Sequence, residues 1–416
     1  MSMIPVVVLT IVLLLIAIRQ VGNIRLQIWQ IMLGGALAVL LTGRISPSAA
    51  LISVNFDVIL FLFGMFVVGE ALEKSGYLSY ISYNYFKGCK TTSSLLLLII
   101  LGMGFLSVFL MNDTVAIIGT PVVLMLAEKN NLPAKPLLLA LAFAVTIGSV
   151  MSPLGNPQNL LITVNSHVNN IFAEFGKYLV IPTLVNLFLV FLLLKVFYKD
   201  SFHKEVIIHK PEKIQNEKLA LLSKFSLGLV LILVISKIIL LFLNVPVDFR
   251  LTYIALAAAL PIIIFSKERI EIIKRVDWHT LIFFISMFIL MQSVWNTGIF
   301  QNLISKTNVN IMSVIMILAI SVILSQLISN VPLVALYLPL LLTSGVSSKG
   351  LMALAAGSTI AGNLFILGAA SNIIIIQNAE KRKRETISFV EFSKIGIPLT
   401  IIKGHRIFRW QKKRLN

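Results

Sequence analysis

The sequence predicts an all-α polytopic membrane protein, built from two inverted repeats that each contain a re-entrant hairpin and a broken transmembrane helix. Three observations support this fold class: the composition, the recurrence of apolar runs, and an internal duplication. Apolar residues make up 58% of the 416 residues and charged residues 12%, whereas soluble domains have about 45–50% and about 25%. Apolar runs such as 4–18, 225–243 and 281–291 recur along the whole chain, which indicates several helical membrane spans. A β-barrel would show short segments of alternating polarity instead.

The charge balance and the cysteine count argue against other classes of protein. The chain carries a net charge of +18, but its basic residues lie mostly in short loops between apolar runs. That is typical of cytoplasmic loops, so we expect no nucleic-acid partner. The single cysteine, Cys89, excludes an internal disulfide and a multi-cysteine metal site. Because no nucleotide-binding loop and no nucleophile or metal constellation is evident, we expect no enzymatic activity and no cofactor beyond a coupling ion.

An unusual motif occurs twice and indicates an internal duplication. Asn112-Asp-Thr is echoed by Asn330-Val-Pro, and in each copy a proline follows nine residues after the asparagine. Further along, Gly155-Asn-Pro-Gln-Asn is echoed by Gly368-Ala-Ala-Ser-Asn. Glycine, proline and asparagine interrupt helices, and at bilayer depth such breaks persist only where they are buried in protein or line a cavity. Each half is therefore predicted to contain a hairpin with the asparagine at its tip, followed by a broken helix.

The loops of the two halves differ in charge, which predicts that the halves are inverted. The loops around the first asparagine motif contain lysines at positions 74, 87, 90, 129 and 135, whereas their equivalents in the second half contain only Lys306 and Lys349. Beyond the glycine motifs the bias reverses, because 163–170 holds no Lys or Arg while Lys381-Arg-Lys-Arg follows the second motif. Basic loops stay in the cytoplasm, so the halves are predicted to insert in opposite orientations.

These patterns divide the chain into five segments. They are an N-terminal transmembrane helix (1–23), a first inverted repeat (24–198), a basic cytoplasmic linker (199–223), a second inverted repeat (224–402) and a basic C-terminal tail (403–416). The first helix lacks the features of a cleaved signal peptide and is expected to be retained. Hairpins are predicted at 94–126 and 309–342, and broken helices at about 135–165 and 350–379. The last apolar span stops at residue 402, so we expect a final helix that is shortened, truncated or frame-shifted.

The helix breaks expose backbone groups that can bind ions. The N-termini of half-helices carry partial positive charge that suits anions, whereas free carbonyls and the oxygens of Asn and Ser suit a hard cation such as sodium. Inverted repeats would bring both hairpin tips and both broken helices together near the midplane, which predicts one substrate site flanked by two cation sites. The candidate substrate- and ion-binding residues are Asn112, Asp113, Thr114, Gly155, Asn156, Asn159, Ser329, Asn330, Gly368, Ser371 and Asn372. Sodium is predicted at Asn112, Asp113, Asn159, Asn330 and Asn372.

Asp113 is the only acidic residue in the four break regions. A charged carboxylate at bilayer depth costs about 2.5–3.5 kcal/mol on insertion scales, so such residues are usually functional. We interpret Asp113 as a sodium ligand, a proton carrier, or both in turn. The structural alternative is that Asp113 caps the half-helix that starts at Thr114. Asn112 or Asn330, taken alone, could likewise have only a structural role at the helix interruption.

Four motifs resemble those of the ion transporter superfamily. They are Asn112-Asp-Thr with Thr120-Pro121, Gly148 with Gly155-Asn-Pro-Gln-Asn159, Ser329-Asn-Val-Pro332 with Leu338-Pro339, and Gly362-Asn with Gly368-Ala-Ala-Ser-Asn372. The superfamily includes divalent-anion/sodium symporters, citrate–metal transporters, arsenite efflux pumps and certain sodium/proton antiporters. The resemblance covers about residues 24–402. It implies a scaffold domain and a transport domain, frequently in a homodimer, that move substrate by elevator-like alternating access.

The hairpin tips differ from those of the dicarboxylate symporters, which have Ser-Asn-Thr at both tips. The tips of this chain, Asn112-Asp-Thr and Ser329-Asn-Val, look more like the arsenite and antiporter branches, while the Gly155 loop looks most like uncharacterised anion permeases. We therefore expect a secondary active transporter of a small anion in the plasma membrane, coupled to sodium or protons. Sodium/proton antiport and arsenite efflux are the alternatives. The expected partners are the anion, the lipid bilayer and a second copy of the chain.

Overall fold

The computed structural model consists almost entirely of helices. It describes residues 3–18, 20–21, 24–166, 168, 170–201, 214–243, 250–299, 312–328 and 330–413. The helices of the first half are α1 Ile4–Ile18, α2 Ile28–Leu41, α3 Pro47–Ser53, α4 Phe56–Lys74, α5 Tyr77–Phe86, α6 Thr92–Leu110, α7 Asn112–Lys129, α8 Ala134–Ser149, α9 Pro157–Asn165 and α10 Ile171–Phe197. Those of the second half are α11 Glu217–Phe242, α12 Leu251–Phe265, α13 Arg269–Arg275, α14 Trp278–Trp295, α15 Val314–Ile328, α16 Asn330–Thr343, α17 Ser348–Leu364, α18 Ala370–Lys383 and α19 Phe389–Lys413. The 3₁₀ turns are Lys199–Ser201 and Ile366–Gly368.

The predicted all-α fold class is confirmed. In the described part of the chain its one exception is a two-residue antiparallel ladder between α1 and α2, which pairs Gln20–Val21 with Ile24–Arg25. Among the described residues, four helices are long and apolar enough to cross a membrane: α6, α10, α14 and the Glu217–Lys237 part of α11. Helices α3 and α4, bent by 57° at their junction, would together form a fifth span. Because α6 alone is long enough to cross, the re-entrant course of the first hairpin remains a prediction.

Caps and turns recur at equivalent positions in the two halves. The side chain of Asn55 caps α4, and the side chain of Asp277 caps α14, each by accepting a hydrogen bond from the backbone N–H three residues later (3.1 and 3.3 Å). Gly76 and Gly298 follow these helices with φ of 77° and 70°, a conformation that favours glycine. These caps and turns lie at positions that the sequence duplication makes equivalent, whereas the two repeats and the inversion of one relative to the other remain predictions.

Helices of one half pack on helices of the other. Helix α2 packs on α14, and α12 packs on α4. At the first of these contacts the Trp29 ring stacks on the His279 ring with centroids 4.8 Å apart. At the second, Arg250 Nη1 lies 3.0 Å from Asp57 Oδ2. The two contacts occupy equivalent places, so the halves are interlocked rather than merely adjacent.

The hairpin and the broken helix of each half are in direct contact. Helix α6 packs on α8, and α15 packs on α17. A Cβ atom on Gly148 would overlap the backbone of Gly104, so α6 and α8 meet backbone to backbone at this point. This close approach fixes the end of α8, where the helix breaks, against the hairpin.

The last helix of the second half extends further than the sequence predicts. Helix α19 continues to Lys413, so residue 402 marks the end of apolar character rather than the end of the helix. Lys and Arg have good helix propensity, which explains why the basic segment can extend the helix.

The predicted linker lies partly outside the described residues. At its end, Gln215 N and Asn216 N donate to Ser75 O, which ties the linker to the C-terminus of α4.

Candidate functional site

The first hairpin turns at Met111, between α6 and α7. Met111 has φ 65° and ψ 147°, a backbone conformation that costs a non-glycine residue about 1–3 kcal/mol. The turn places Asn112 at the start of α7, where its Oδ1 accepts a hydrogen bond from Asp113 N (3.0 Å). Asn112 N donates to Gly155 O (2.9 Å), and this bond ties the hairpin tip to the first helix break.

The first break separates α8 from α9. Asn156 caps α9, because its Oδ1 accepts a hydrogen bond from Asn159 N (2.8 Å). Asn159 donates from Nδ2 to the carbonyl oxygens of Ser149 (3.2 Å) and Ser152 (2.9 Å). A helix leaves its last four carbonyls without helical donors, and Asn159 bonds one of these at the end of α8 and a second carbonyl in the connection to α9.

The second break, between α17 and α18, is built in the same way. Asn372 donates from Nδ2 to Gly362 O (2.6 Å) and to Ile366 O (3.3 Å). The second asparagine therefore bonds the backbone of its break as its counterpart does in the first half.

Gly155 and Gly368 lie where each broken chain approaches the preceding helix. A Cβ atom on Gly155 would overlap the backbone of Ser149, and a Cβ atom on Gly368 would overlap the backbone of Ala361. Only glycine permits such an approach of two backbone segments. Both predicted glycines therefore shape the breaks.

Ser371 joins the two halves at the first hairpin tip. Asn112 Nδ2 donates to Ser371 Oγ at 3.4 Å, and Ser371 Oγ lies 3.4 Å from Thr146 Oγ1. All three residues are buried. The hydroxyl of Ser371 is thus shared between the tip of the first hairpin and the helix that precedes the first break.

Thr359 on α17 makes a second connection between the halves. Asn156 Nδ2 and Gln158 Nε2 both donate to Thr359 Oγ1, at 3.3 and 3.1 Å. Thr359 Oγ1 itself donates to Ala355 O within its own helix (2.8 Å). One hydroxyl therefore anchors the start of α9 to the other half.

The predicted site residues that the structure describes lie at the two hairpin tips and the two breaks. Asn112, Gly155, Asn156, Asn159 and Ser371 form a hydrogen-bonded network, directly or through its neighbouring residues. Asp113 and Thr114 are buried in the first turn of α7, and Gly368 and Asn372 shape the second break. Asn330 begins α16, and its Oδ1 accepts from Val331 N (2.9 Å), which repeats the geometry at the first tip. Ser329 lies outside the described residues.

Six buried side-chain oxygens in the hairpins and the two broken helices accept no hydrogen bond from any residue that the structure describes, and we call them open oxygens. They are Asp113 Oδ1, Gln158 Oε1 and Asn159 Oδ1 in the first half, and Gln326 Oε1, Asn363 Oδ1 and Asn372 Oδ1 in the second. Buried polar atoms normally have a hydrogen-bond partner, so each exception requires an explanation. Oxygen ligands are the ones that hard cations prefer.

Asp113 is the charged member of this set. Its side chain is 4% exposed, and within the described ranges it takes part in no ion pair. An uncompensated carboxylate at this depth is costly. A bound cation or a proton would remove that cost.

The N-termini of α7 and α18 meet at the same place. The two helices pack side by side, and the bond between Asn112 and Ser371 joins their first turns. A helix N-terminus carries about half a positive elementary charge and presents free N–H groups. Two such ends side by side, with hydroxyl and amide donors around them, can bind an anion.

The other ends of α7 and α18 lie in a cluster of charged side chains. Arg382 Nη2 forms an ion pair with Glu70 Oε1 at 2.5 Å, and Arg382 also pairs with Glu73. Lys383 Nζ pairs with Glu128 Oε2 at 2.7 Å. These residues line a cleft of about 600 Å³, on the face that the charge pattern predicts to be cytoplasmic.

Pro121 lies in α7, the helix that bears Asp113, and allows this helix to bond to the charged cluster through α18. Proline has no N–H group, so Ile117 O, four residues earlier, lacks its helical donor. Asn378 Nδ2 on α18 donates to Ile117 O instead (3.4 Å), and Asn378 Oδ1 accepts from Arg382 Nε. The proline identified in the sequence thus provides a bonding site for the neighbouring helix.

Sequence reasoning missed several residues of the site. The missed residues that the structure places there are Thr146, Gln158, Gln326, Thr359 and Asn363. Gln158 and Asn363 lie inside the motifs that the sequence identifies, so a polar side chain within a motif was the available signal. Thr146, Gln326 and Thr359 lie in apolar helices, and only the packing of those helices brings them to the breaks.

Comparison with known proteins identifies the family of this chain. A model of the citrate transporter family matches residues 11–350. The chain belongs to the citrate transporter family. It is 27% identical to a 46 kDa membrane protein of Mycobacterium leprae over 84% of each chain. It is 24% identical to a Dictyostelium discoideum protein that carries the transporter name arsB, over 88% of this chain and 84% of that protein. It is also 24% identical to the silicon efflux transporter of Oryza sativa subsp. japonica, over 88% of this chain and 89% of that protein.

These matches confirm the predicted relationship to the ion transporter superfamily. They identify the chain as a multi-pass membrane protein of a transporter family, whose relatives are transporters rather than enzymes.

Proposed function

We propose that this citrate transporter family member is a secondary active transporter of a small anion, coupled to sodium or protons. The observation that carries the proposal is the meeting of the N-termini of α7 and α18 at the bond between Asn112 and Ser371. Two positive helix ends in a buried site favour negative charge. Similar arrangements of broken helices hold anionic groups of substrates in other transporters.

Asp113 explains why anion binding would require a second ion. Its carboxylate lies in the first turn of α7, next to the positive helix end that the anion would use. An ionised Asp113 would repel the anion, because like charges in a buried site interact strongly. Binding of a sodium ion or a proton at Asp113 removes this repulsion. Transport of the anion would therefore follow the gradient of the coupling ion.

A second candidate is export of a small uncharged metalloid acid. Two relatives that match over most of their length carry the names arsB and silicon efflux transporter. Arsenite and silicon are carried at neutral pH largely as hydroxylated, uncharged acids, which need both donors and acceptors. The breaks supply both, since Ser371 and Thr359 are hydroxyls and the open oxygens are acceptors.

The experiment that tests the proposal is transport by the purified protein in proteoliposomes with an imposed sodium or proton gradient. Uptake of citrate, smaller carboxylates, phosphate, sulfate, arsenite and silicic acid is measured alongside internal pH. Accumulation of an anion that collapses when the gradient is removed supports the proposal. Proton movement driven by sodium without any anion would replace it by sodium/proton antiport, with Asp113 as the exchanging carboxylate. Gradient-driven movement of arsenite or silicic acid alone would favour the second candidate.

The role of Asp113 is tested by a matched pair of variants. Asp113→Asn should abolish gradient-driven uptake while the protein remains in the membrane, because the amide can neither ionise nor carry a proton. Asp57→Asn removes a carboxylate of a surface ion pair and should leave coupling intact. Unchanged coupled uptake by Asp113→Asn would show that the Asp113 carboxylate does not carry the coupling ion. A plasma-membrane location and a homodimer are further parts of the proposal, to be tested by fractionation and by cross-linking in the membrane.

A further inference from the structure

Helices α7 and α18 are bonded to each other along their whole length. They pack side by side, and a side-chain hydrogen bond joins their first turns at the hairpin tip. Further along, Asn378 Nδ2 donates to Ile117 O (3.4 Å). At the other end, Lys383 Nζ pairs with Glu128 Oε2 (2.7 Å). Because they are joined at three levels, the two helices are expected to move as one unit.

The last turn of α18 connects this unit to neighbouring helices. Arg382 pairs with Glu70 and Glu73, which lie one turn apart on α4. Lys381 Nζ donates to Arg275 O at the end of α13. Arg382 and both glutamates line the cleft of about 600 Å³ described above. The ion pairs therefore bridge the cleft, from the α7–α18 unit on one side to α4 on the other.

The first half has no counterpart to this turn of helix. Helix α9 ends at Asn165, which the duplicated motifs make equivalent to Asn378. Helix α18 continues beyond Asn378 to Lys383, and the added residues include Lys381, Arg382 and Lys383. Residues 166–170 of the first half contain no Lys or Arg. The cations that reach across the cleft thus belong to an extension that only the second half has.

The carboxylates that receive Arg382 are also confined to one half. The positions of Glu70 and Glu73 are occupied by Gln292 and Trp295 in the second half. Gln292 Nε2 donates to Asn296 Oδ1 (2.8 Å) within its own helix. Inverted repeats would place these equivalent positions at opposite faces of the membrane. Ion pairs of this kind would then close the cytoplasmic face alone.

The surroundings of Arg382 make these pairs stronger than ordinary surface pairs. The side chains of Arg382 and Glu70 are 17% and 9% exposed, so solvent screens their attraction weakly. Charge-assisted hydrogen bonds are about twice as strong as neutral ones. An interaction that exists in only one of two conformations shifts their equilibrium toward that conformation. The bridged conformation is therefore favoured over any conformation in which α18 has moved away from α4.

We propose that Arg382, Glu70 and Glu73 form a one-sided latch, which holds the α7–α18 unit against α4 and must open before the transport site can face the cytoplasm. This inference rests on the proposed transport function. It adds that the two access states are unequal in this chain, since only the cytoplasmic face carries a latch. Without an imposed gradient the protein would rest with the latch closed.

The test measures how fast a cysteine in the cleft is labelled from the cytoplasmic side. Val122 lies on the α7 wall of the cleft and is 4% exposed. Val122→Cys in a Cys89→Ser background is treated with a membrane-impermeant maleimide in inverted vesicles. The combined variant Glu70→Gln/Glu73→Gln/Arg382→Gln removes the latch and leaves no charge unpaired, so the fold should persist. Its cysteine should be labelled at least about tenfold faster than in the protein with the latch.

Two controls separate opening of the cleft from loss of structure. Lys383→Gln removes a cation from the same turn of α18, but its ion pair with Glu128 lies within the α7–α18 unit. It should leave the labelling rate at Val122→Cys unchanged. Ala140, buried in α8 with 0% exposure, lies outside the cleft lining. The reporter Ala140→Cys should stay unlabelled in the combined variant, whereas general loosening of the fold would expose it.

A double-mutant cycle tests whether the three residues act together. Arg382→Gln should accelerate labelling on its own but add little once Glu70→Gln and Glu73→Gln are present, because the interaction is already lost. Glu73→Gln alone changes a carboxylate that is 39% exposed. It should give a smaller rise in the same direction, which keeps the inference testable if the combined variant folds poorly.

Four results would each overturn the latch. They are an unchanged labelling rate in the combined variant, an equal acceleration in Lys383→Gln, faster labelling of Ala140→Cys as well, and additive effects in the cycle. The labelling assay requires neither substrate nor gradient. The latch can therefore fail while coupled anion uptake is observed, and the proposed function then stands. Faster labelling in the combined variant, together with an absence of coupled uptake, would retain the latch and remove the anion proposal.

Discussion

Arg382 on α18 and Glu70 on α4 form an ion pair of 2.5 Å with side chains that are 17% and 9% exposed. The pair joins a helix that follows the second break to a helix that precedes the first hairpin. Arg382 also bonds Asn378 and pairs with Glu73, so its guanidinium is held on several sides. The charged cluster therefore links α4 to the paired helices α7 and α18.

Glu70→Gln should destabilise the protein through this pair. Removing a carboxylate leaves a largely buried guanidinium with fewer partners, at a cost of about 1.5–3 kcal/mol. Lys383→Gln is the matched control on the same helix, because Lys383 and Glu128 are 46% and 64% exposed and such a pair contributes less than about 1 kcal/mol. Reversible unfolding in mixed micelles measures both. Equal losses in the two variants would mean that burial does not strengthen the Arg382 pair.

Gly148→Ala should separate α6 from α8. The added methyl group would overlap the backbone of Gly104, and backbone atoms cannot move aside as a side chain can. Overpacking of this kind costs about 1–3 kcal/mol. Gly228→Ala in α11 meets no atom within 4 Å and should be neutral or stabilising by up to about 1 kcal/mol. Thermal unfolding of the two variants compares them directly, and a Gly148→Ala protein as stable as Gly228→Ala would show that the helices tolerate a wider spacing.

Thr359→Val should weaken the connection between the halves. The hydroxyl accepts hydrogen bonds from Asn156 and Gln158, and leaving buried donors without an acceptor costs about 1–3 kcal/mol. Ser358→Ala removes the neighbouring hydroxyl, which bonds only the backbone of its own helix among the described residues. We expect a lower unfolding temperature and slower transport for Thr359→Val, and little change for Ser358→Ala. If Ser358→Ala were the more damaging change, the Thr359 bonds would not hold the halves together.

The predicted inversion of the halves is tested by labelling. Single cysteines are placed by Lys129→Cys and Lys349→Cys in a Cys89→Ser background, and a membrane-impermeant maleimide is applied to intact cells and to inverted vesicles. Positions 129 and 349 follow the two hairpins at equivalent places, so opposite insertion predicts labelling from opposite faces. Labelling of both cysteines from the same face would show that the halves are parallel.

The sequence predicted the residues whose role is set by the backbone. Gly155 and Gly368 permit close approach, and Asn159 and Asn372 bond backbone carbonyls at and just beyond the ends of the broken helices. Such roles depend on residue type and on nearby chain, so a repeated motif is enough to reveal them. Thr359 and Gln326 escaped prediction because a single polar residue in an apolar helix has several interpretations, and its neighbours across the fold decide among them.

By itself, the sequence determined that the chain is an all-helical membrane protein with a duplicated pattern of two interrupted segments. Composition, periodic apolar runs and repeated helix-breaking residues are properties of the chain alone, and the physics of the bilayer makes them decisive. The tertiary structure decided that the halves interlock, that Arg382 pairs with Glu70, and which buried side-chain oxygens lack a hydrogen-bond partner among the described residues. These relationships depend on which helix faces which, because a hydrogen bond or an ion pair forms only between groups that packing brings within about 3 Å of each other.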